Sequence, residues 1–104
     1  MKLVITGASG QLARLAAQRV LEKIAPQDLI LATRTPDQLT AFSARGVEVR
    51  YADFAAPRSL RAAFAGGERL LLVSATDIAA RTAQHLAAID AAKAAGVRHI
   101  VYTS

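Results

Sequence analysis

Largely apolar runs of strand length alternate with longer helical patterns along the whole chain. Residues 2–6, 29–33 and 70–73 are continuous runs of mainly apolar residues, whereas residues 47–51 alternate apolar and polar positions. The first kind of run is typical of strands buried on both faces, and the second of a half-exposed edge strand. Residues 99–102 form a fifth run near the end. The pattern predicts successive βαβ units and an α/β fold.

Helical patterns occupy the segments between these strands. Pro36 is expected to start the second helix and Pro57 the third, and Asp77 is expected to cap the fourth. Pro26 is expected to end the first helix, and Gly46 is expected to end the second. Apolar residues at helical spacing should face the sheet. These stripes are Leu12, Ala16, Val20 and Ile24 in the first helix, and Ile78, Leu86, Ile89 and Ala92 in the fourth.

The strand and helix pattern also predicts the order of the sheet. Right-handed crossovers between five strands give a doubly wound parallel sheet of the Rossmann type, in the order 3-2-1-4-5. In such sheets a ligand binds where the order reverses, at the carboxyl ends of strands 1 and 4, here residues 7–12 and 74–76. The whole of residues 1–104 is expected to be one dinucleotide-binding domain.

Composition narrows the classes of function. Apolar residues make up 53% of the chain and the net charge is +5, but the arginines are dispersed and aromatic residues do not interleave with them as stacking platforms. This pattern argues against nucleic acid and favours an anionic small ligand. Cysteine is absent, and neither a signal peptide nor a membrane-spanning run is evident, so we expect a cytoplasmic protein without membrane contact. Neither His85 nor His99 has companions at metal-ligand spacing.

A glycine turn follows the first strand and opens the first helix. Gly7 permits the tight turn, Gly10 leaves the helix amino terminus uncovered for a pyrophosphate, and Ala13 lets the helix approach the strand. An ordinary βα turn without a ligand is the alternative. The side chains of Ser9 and Gln11 either hydrogen-bond phosphate oxygens or simply complete the turn.

The end of the second strand bears on the choice of dinucleotide. NAD-binding folds place an acid there, on the ribose 2′-hydroxyl, whereas this chain has Arg34 between two threonines. A guanidinium can pair with a 2′-phosphate, so Arg34 favours NADP(H) over NAD(H). The alternative is a solvated loop arginine that pairs with Asp37.

Two further segments are candidates for the rest of the cofactor. Asp53 and Phe54 end the third strand and either border the adenine or serve as a turn residue and a core residue. Ser74, Ala75 and Thr76 lie at the switch point, where small residues leave room for the nicotinamide ribose. Ser74 or Thr76 could equally cap the next helix.

These segments resemble the NmrA-like atypical short-chain dehydrogenase family, and within it the bacterial type 2 NAD(P)H:quinone oxidoreductases. Residues 5–12, Arg34, residues 70–74, residues 91–97 and residues 102–104 follow in family order. The resemblance implies that a longer relative transfers hydride from NADPH to a quinone. It also implies cofactor contacts at Gly7, Ala8, Ser9, Gly10, Gln11, Leu12, Arg34, Ser74, Ala75 and Thr76.

Members of this family continue for well over a hundred residues after the segment that matches Ser104, so the resemblance implies an amino-terminal cofactor-binding part that is not expected to turn over alone. Tyr102 has no lysine four residues later, and no catalytic residue is assigned. The alternative functions are a redox sensor resembling NmrA, which binds the nucleotide without chemistry, and a fragment that binds nothing well. Ile100 and Val101 on an unpaired edge strand predict self-association.

Overall fold

The fold is built on a parallel five-stranded sheet, seen in a computed structural model that describes residues 2–73 and 81–102. The strands are β1 (Leu3–Ile5), β2 (Leu29–Thr33), β3 (Glu48–Tyr51), β4 (Arg69–Leu72) and β5 (His99–Tyr102). Their order is β3-β2-β1-β4-β5, and every neighbouring pair is parallel. The predicted Rossmann-type order is therefore confirmed.

Within the described residues, α-helices and short 3₁₀ helices connect the strands: α1 (Gln11–Val20), α2 (Thr40–Ala44), α3 (Pro57–Phe64), α4 (Arg81–Ala94), and 3₁₀ helices at Pro26–Asp28 and Pro36–Leu39. Gly46 closes α2 with a φ of 98°, and Pro57 starts α3, as predicted. The prediction that Pro26 ends α1 is wrong. The helix ends at Val20 because the Lys23 amide bonds the Val20 carbonyl in a tighter turn.

Helices cover both faces of the sheet, as a doubly wound fold requires. On one face, α3 and α4 bury a cluster that consists of Val4, Ile30, Ala32, Leu60, Ala63, Phe64, Leu70, Leu72, Ala88, Ala91 and Ala92, with Ala52 at its margin. On the other face, α1 and α2 bury a cluster that consists of Ile5, Ala8, Ala13, Ala17, Leu29, Leu31, Leu39, Phe42, Val47 and Val73.

The predicted helix stripes are partly wrong. Leu12 is 56% exposed and Leu86 is 59% exposed, whereas the alanines beside them are buried against the sheet. In α1 the buried residues are Ala13 and Ala17. Small side chains let a helix axis approach the sheet closely, so the alanine face is the one that packs and the leucines turn outward. Asp77 and Ile78 lie outside the described residues.

One stretch of the sheet has an open apolar surface. A concave cavity with a volume of about 590 Å³ opens here, and we call it the β4–β5 groove. It is lined by Leu3, Ile24, Arg69, Leu70, Leu71, His99 and Val101. It lies beside β5, which pairs with β4 alone among the described strands. Self-association through this edge stays a prediction.

In the described part of the chain, no helix is long and apolar enough to cross a membrane.

Arg50 on β3 closes the end of α3. Its Nη1 donates to the carbonyls of Ala63 and Ala65, at 2.9 and 2.6 Å, and its Nε is paired with Glu48. The last carbonyls of a helix have no partner within the helix, and a cation near them also complements the helix dipole. Arg50 therefore ties the edge strand to α3 through side chain to backbone bonds.

We expect Arg50→Met to lower the free energy of unfolding by about 2 kcal/mol, because hydrogen bonds from a charged donor to α3 carbonyls are lost. Urea denaturation followed by circular dichroism measures this change. Arg45→Met is the matched control, because Arg45 is exposed and bonds through its backbone among the described residues. Equal stability of the two variants would contradict the role of Arg50.

Candidate functional site

Thr6 joins the two central strands at the switch point of the sheet. Its hydroxyl accepts a hydrogen bond from the Val73 amide at 2.9 Å and lies 3.3 Å from the Val73 carbonyl, to which it can donate. The Thr6 amide donates to the Leu71 carbonyl at 3.1 Å. Thr6 is 1% exposed, so these bonds form in a dry environment where they order the backbone strongly. The carboxyl ends of β1 and β4 are thereby held side by side.

The chain turns sharply immediately after this point. Gly7 has a φ of 61°, and a Cβ there would lie 3.3 Å from the Val73 carbonyl oxygen. Both the left-handed backbone and the close approach to β4 favour glycine. The Gly10 amide donates to the Gly7 carbonyl at 3.0 Å, and the Ala8 amide donates to Ala32 on β2 at 3.2 Å. The predicted tight turn at Gly7 is confirmed.

The amino terminus of α1 emerges from this turn without a side-chain cap. Gly10 is the N-cap residue, and the first turn of the helix contains no acid. Among the described residues, nothing accepts a hydrogen bond from the amides of Gln11, Leu12 and Ala13. Free amides and the positive end of the helix dipole together suit a bound anion such as a phosphate.

The side chains of the turn differ in what they offer. Ala8 is fully buried in the core beneath α1, so only its backbone belongs to the turn surface. Ser9 is half-buried, and Gly10, Gln11 and Leu12 are exposed. The turn therefore presents backbone and small or polar groups to a ligand, which is the arrangement that close approach of a pyrophosphate needs.

Arg34 follows β2 and is exposed. The preceding Thr33 is buried, and its hydroxyl accepts a hydrogen bond from the Thr35 amide at 3.1 Å, which forms a local turn around Arg34. The alternative partner, Asp37, makes no ion pair with Arg34; the ion pairs of the described residues all involve Glu48. Among the residues that the structure describes, the Arg34 guanidinium has no acidic partner and can pair with an anion.

Asp53 and Phe54 have structural contacts at the end of β3. An Asp53 carboxylate oxygen accepts a hydrogen bond from the Ala55 amide at 2.9 Å, and the Asp53 amide donates to the Ser59 hydroxyl at 2.9 Å. Phe54 packs against the core beneath α3 and α4. These contacts are those of a turn residue and a core residue, the second of the two interpretations. Contact with adenine stays a prediction.

Two residues of the site were missed by sequence reasoning, and one predicted segment is not described by the structure. Sequence reasoning missed Thr6 and Arg14, although Thr6 joins β1 to β4 and Arg14 reaches from α1 to the carbonyl of Gln38. No local pattern in the sequence marks either residue, because each contact joins residues far apart in the chain. Ser74, Ala75 and Thr76, predicted at the same crevice, lie outside the described residues.

Comparison with known proteins shows which family and which proteins the chain is similar to. A family model described as NAD(P)H-binding matches residues 7–104, which begins at the glycine of the turn. Quinone oxidoreductase 2 of Escherichia coli is 38% identical over 102 residues, which are 98% of this chain and 36% of that protein. A crystal structure of the Escherichia coli NADPH-dependent quinone oxidoreductase complexed with NADPH covers the same shares of the two chains, with a TM-score of 0.93.

Two other proteins extend the comparison. An NmrA-like family domain-containing oxidoreductase of Aspergillus flavus is 32% identical over 100% of this chain and 35% of its own length. The triphenylmethane reductase of Citrobacter sp., complexed with NADP(H), is 36% identical over 100% of this chain and 37% of its own, with a TM-score of 0.95. The resemblance drawn from the motifs is therefore confirmed. The chain spans little more than a third of the length of these relatives.

Proposed function

Because the chain belongs to the NAD(P)H-binding family, we propose that it binds NADP(H) at the turn between β1 and α1, as the cofactor-binding part of an NADPH-dependent quinone oxidoreductase. One observation carries the proposal: the uncapped, acid-free amino terminus of α1 lies beside a glycine whose missing side chain allows close approach to β4. The quinone is proposed from the 38% identity to quinone oxidoreductase 2 of Escherichia coli.

Each part of the turn has its own proposed task. The amides of Gln11, Leu12 and Ala13 donate to the pyrophosphate oxygens, and the bare backbone at Gly7 and Gly10 lets the pyrophosphate come close. The half-buried Ser9 can donate a further hydrogen bond to phosphate. The cofactor is thereby held by backbone groups, which impose position more strictly than mobile side chains.

The remaining predicted contacts complete the proposal. Ser74, Ala75 and Thr76 would leave space for the nicotinamide ribose at the switch point, and Asp53 with Phe54 would border the adenine. When bound, the nicotinamide supplies the hydride, so the residues of this chain bind and orient the cofactor and need no acid or base.

Arg34 supplies the preference for the phosphorylated cofactor. We expect Arg34→Ala to weaken NADPH binding about tenfold, because a charge-assisted pair of about 1.5 kcal/mol with the 2′-phosphate is lost. NADH, which lacks that phosphate, should bind unchanged. Titration of both nucleotides, followed by their fluorescence, measures the two affinities.

Arg58→Ala is the control for this experiment, since Arg58 is an equally exposed arginine on α3, far along the chain from the turn. It removes the same charge and should change neither affinity. An equal loss of NADPH and NADH binding in Arg34→Ala would contradict the role of Arg34 in selectivity. Failure of the unaltered chain to bind either nucleotide would contradict the proposed function itself.

The quinone part of the proposal is tested separately. NADPH oxidation with benzoquinone, and in parallel with a triphenylmethane dye, is measured for residues 1–104 alone and for a longer protein that contains them. Faster oxidation with the quinone by the longer protein supports the assignment. Binding without turnover in both would favour the redox-sensor alternative.

A further inference from the structure

Arg14 lies one helical turn beyond the glycine turn, on the side of α1 that faces the segment after β2. Its Nη2 donates to the Gln38 carbonyl at 3.5 Å, the far limit of a hydrogen bond. Gln38 belongs to the 3₁₀ helix Pro36–Leu39, which begins two residues after Arg34. The Arg14 guanidinium is thus located between α1 and the segment that carries Arg34.

The hydrogen-bonding capacity of this guanidinium is largely unused. Its Nε is shielded from solvent and has no partner among the described groups, and its Nη1 donates to none of them. No carboxylate pairs with Arg14 in the part of the chain that the structure describes. Shielded charged donors are usually paired, so the arrangement indicates an anionic acceptor that the polypeptide itself does not supply.

The position of Arg14 indicates which anion this is. Side chains on a helix tilt toward its amino terminus, and the Arg14 side chain leaves α1 to reach the Gln38 carbonyl. In open α/β sheets of this order, the ribose 2′ position lies at the carboxyl end of the second strand, which here is followed by Arg34. Arg14 contacts Gln38, four residues after Arg34, so the contact lies in the segment that follows the carboxyl end of β2.

We propose that Arg14 is a second specificity-determining cation, which binds the 2′-phosphate of NADP(H) together with Arg34. The proposal rests on the proposed function and adds a residue to it. Arg34 is exposed, so water and salt screen its charge, whereas Arg14 is half-buried and screened less. A phosphate dianion offers three acceptor oxygens, enough for two guanidinium groups.

The experiment separates the 2′-phosphate from the rest of the nucleotide. Arg14→Met keeps the aliphatic part of the side chain and removes the charge. We expect it to weaken NADPH and 2′,5′-ADP binding about tenfold, and to leave NADH and 5′-AMP within about twofold, because only the first pair carries a 2′-phosphate. Arg14→Lys should recover part of the loss, since it restores the charge without the planar fork.

Arg19→Met is the matched control, because Arg19 is an exposed arginine in the last turn of the same helix and should leave all four affinities unchanged. Circular dichroism and the urea midpoint establish that the variants are folded. If Arg14→Met does not fold, the ratio of 2′,5′-ADP to 5′-AMP affinity in Arg14→Lys decides, and an unchanged ratio overturns the proposal.

Two results would overturn the proposal while leaving the proposed function intact. One is an unchanged preference for NADPH in Arg14→Met, and the other is an equal loss of all four ligands, which a merely structural contact with Gln38 would produce. If the unaltered chain binds 5′-AMP and 2′,5′-ADP equally well, the 2′-phosphate site itself is contradicted. If it binds none of the four ligands, the proposed function fails as well.

Discussion

Gly10→Val is expected to weaken the binding of both NADPH and NADH about 100-fold while leaving the chain folded. Gly10 is exposed, its φ of −76° and ψ of 160° suit any residue, and a Cβ there would meet only the Gly7 carbonyl, at 3.3 Å. A branched side chain would stand in front of the free amides of α1. Two charge-assisted hydrogen bonds of about 1.5 kcal/mol each would be lost, which corresponds to about 100-fold weaker binding.

A graded series checks this expectation. Gly10→Ala should lose less affinity than Gly10→Val, because a methyl group blocks less of the approach to α1. Both variants should remain folded, with a loss of stability of no more than about 1 kcal/mol, because alanine and valine are poorer N-cap residues than glycine. Nucleotide fluorescence measures the affinities, and undiminished binding in Gly10→Val would show that the pyrophosphate does not lie at this helix terminus.

Gly67→Ala is expected to destabilise the fold more than any other single methyl addition among the described glycines. A Cβ at Gly67 would lie 2.5 Å from Cγ2 of Val4 and 3.1 Å from the Phe64 carbonyl. Val4 is fully buried on β1 and, being β-branched, has little freedom to move away. Overpacking of this kind costs about 2–3 kcal/mol.

Gly66→Ala is the control, because a Cβ there would meet nothing within 4 Å and only its φ of 85° is strained. That strain costs about 1 kcal/mol. Chemical denaturation of both variants gives the difference. The double variant Val4→Ala/Gly67→Ala should be more stable than the sum of the single changes predicts, since Val4→Ala removes the clashing atom. Simple additivity would contradict the clash.

The order of the sheet could be predicted from the sequence because a strand buried on both faces is apolar along its length, whereas an edge strand alternates apolar and polar residues. β2 is buried along all five of its residues, whereas β3 contains exposed and half-buried positions, and this contrast indicates that β3 lies at the edge. Crossover handedness then leaves few alternatives. The glycine turn was predictable for a similar reason, since the φ of 61° at Gly7 suits few residues other than glycine.

Helix faces were predicted less well. The apolar spacing assigns Leu12 to the buried stripe of α1, but Ala13 and Ala17 pack on the sheet and Leu12 is exposed. In an alanine-rich helix the apolar spacing fits more than one face, so periodicity alone cannot choose between them. The deciding factor is how closely the helix approaches the sheet, which depends on tertiary contacts.

The polar contacts of the site were beyond sequence reasoning because they join residues far apart in the chain. Thr6 bonds Val73 across 67 residues, and Arg14 bonds Gln38 across 24. Neither pair has a local pattern that would mark it. Such contacts become visible only when the topology brings β1 beside β4 and α1 beside the segment after β2.

The position of β5 implies a gradient of local stability across the sheet. Among the described strands β5 has one hydrogen-bonded neighbour, Val101 is 63% exposed, and the β4–β5 groove leaves one of its faces uncovered. Backbone amides there would exchange with solvent through a local opening that costs far less than global unfolding. β2 is buried along its whole length and Val4 and Ile5 of β1 are fully buried, so their amides would exchange only when the whole domain unfolds. The glycine turn is therefore anchored in the most slowly exchanging part of the molecule, and fraying at β5 need not disturb it.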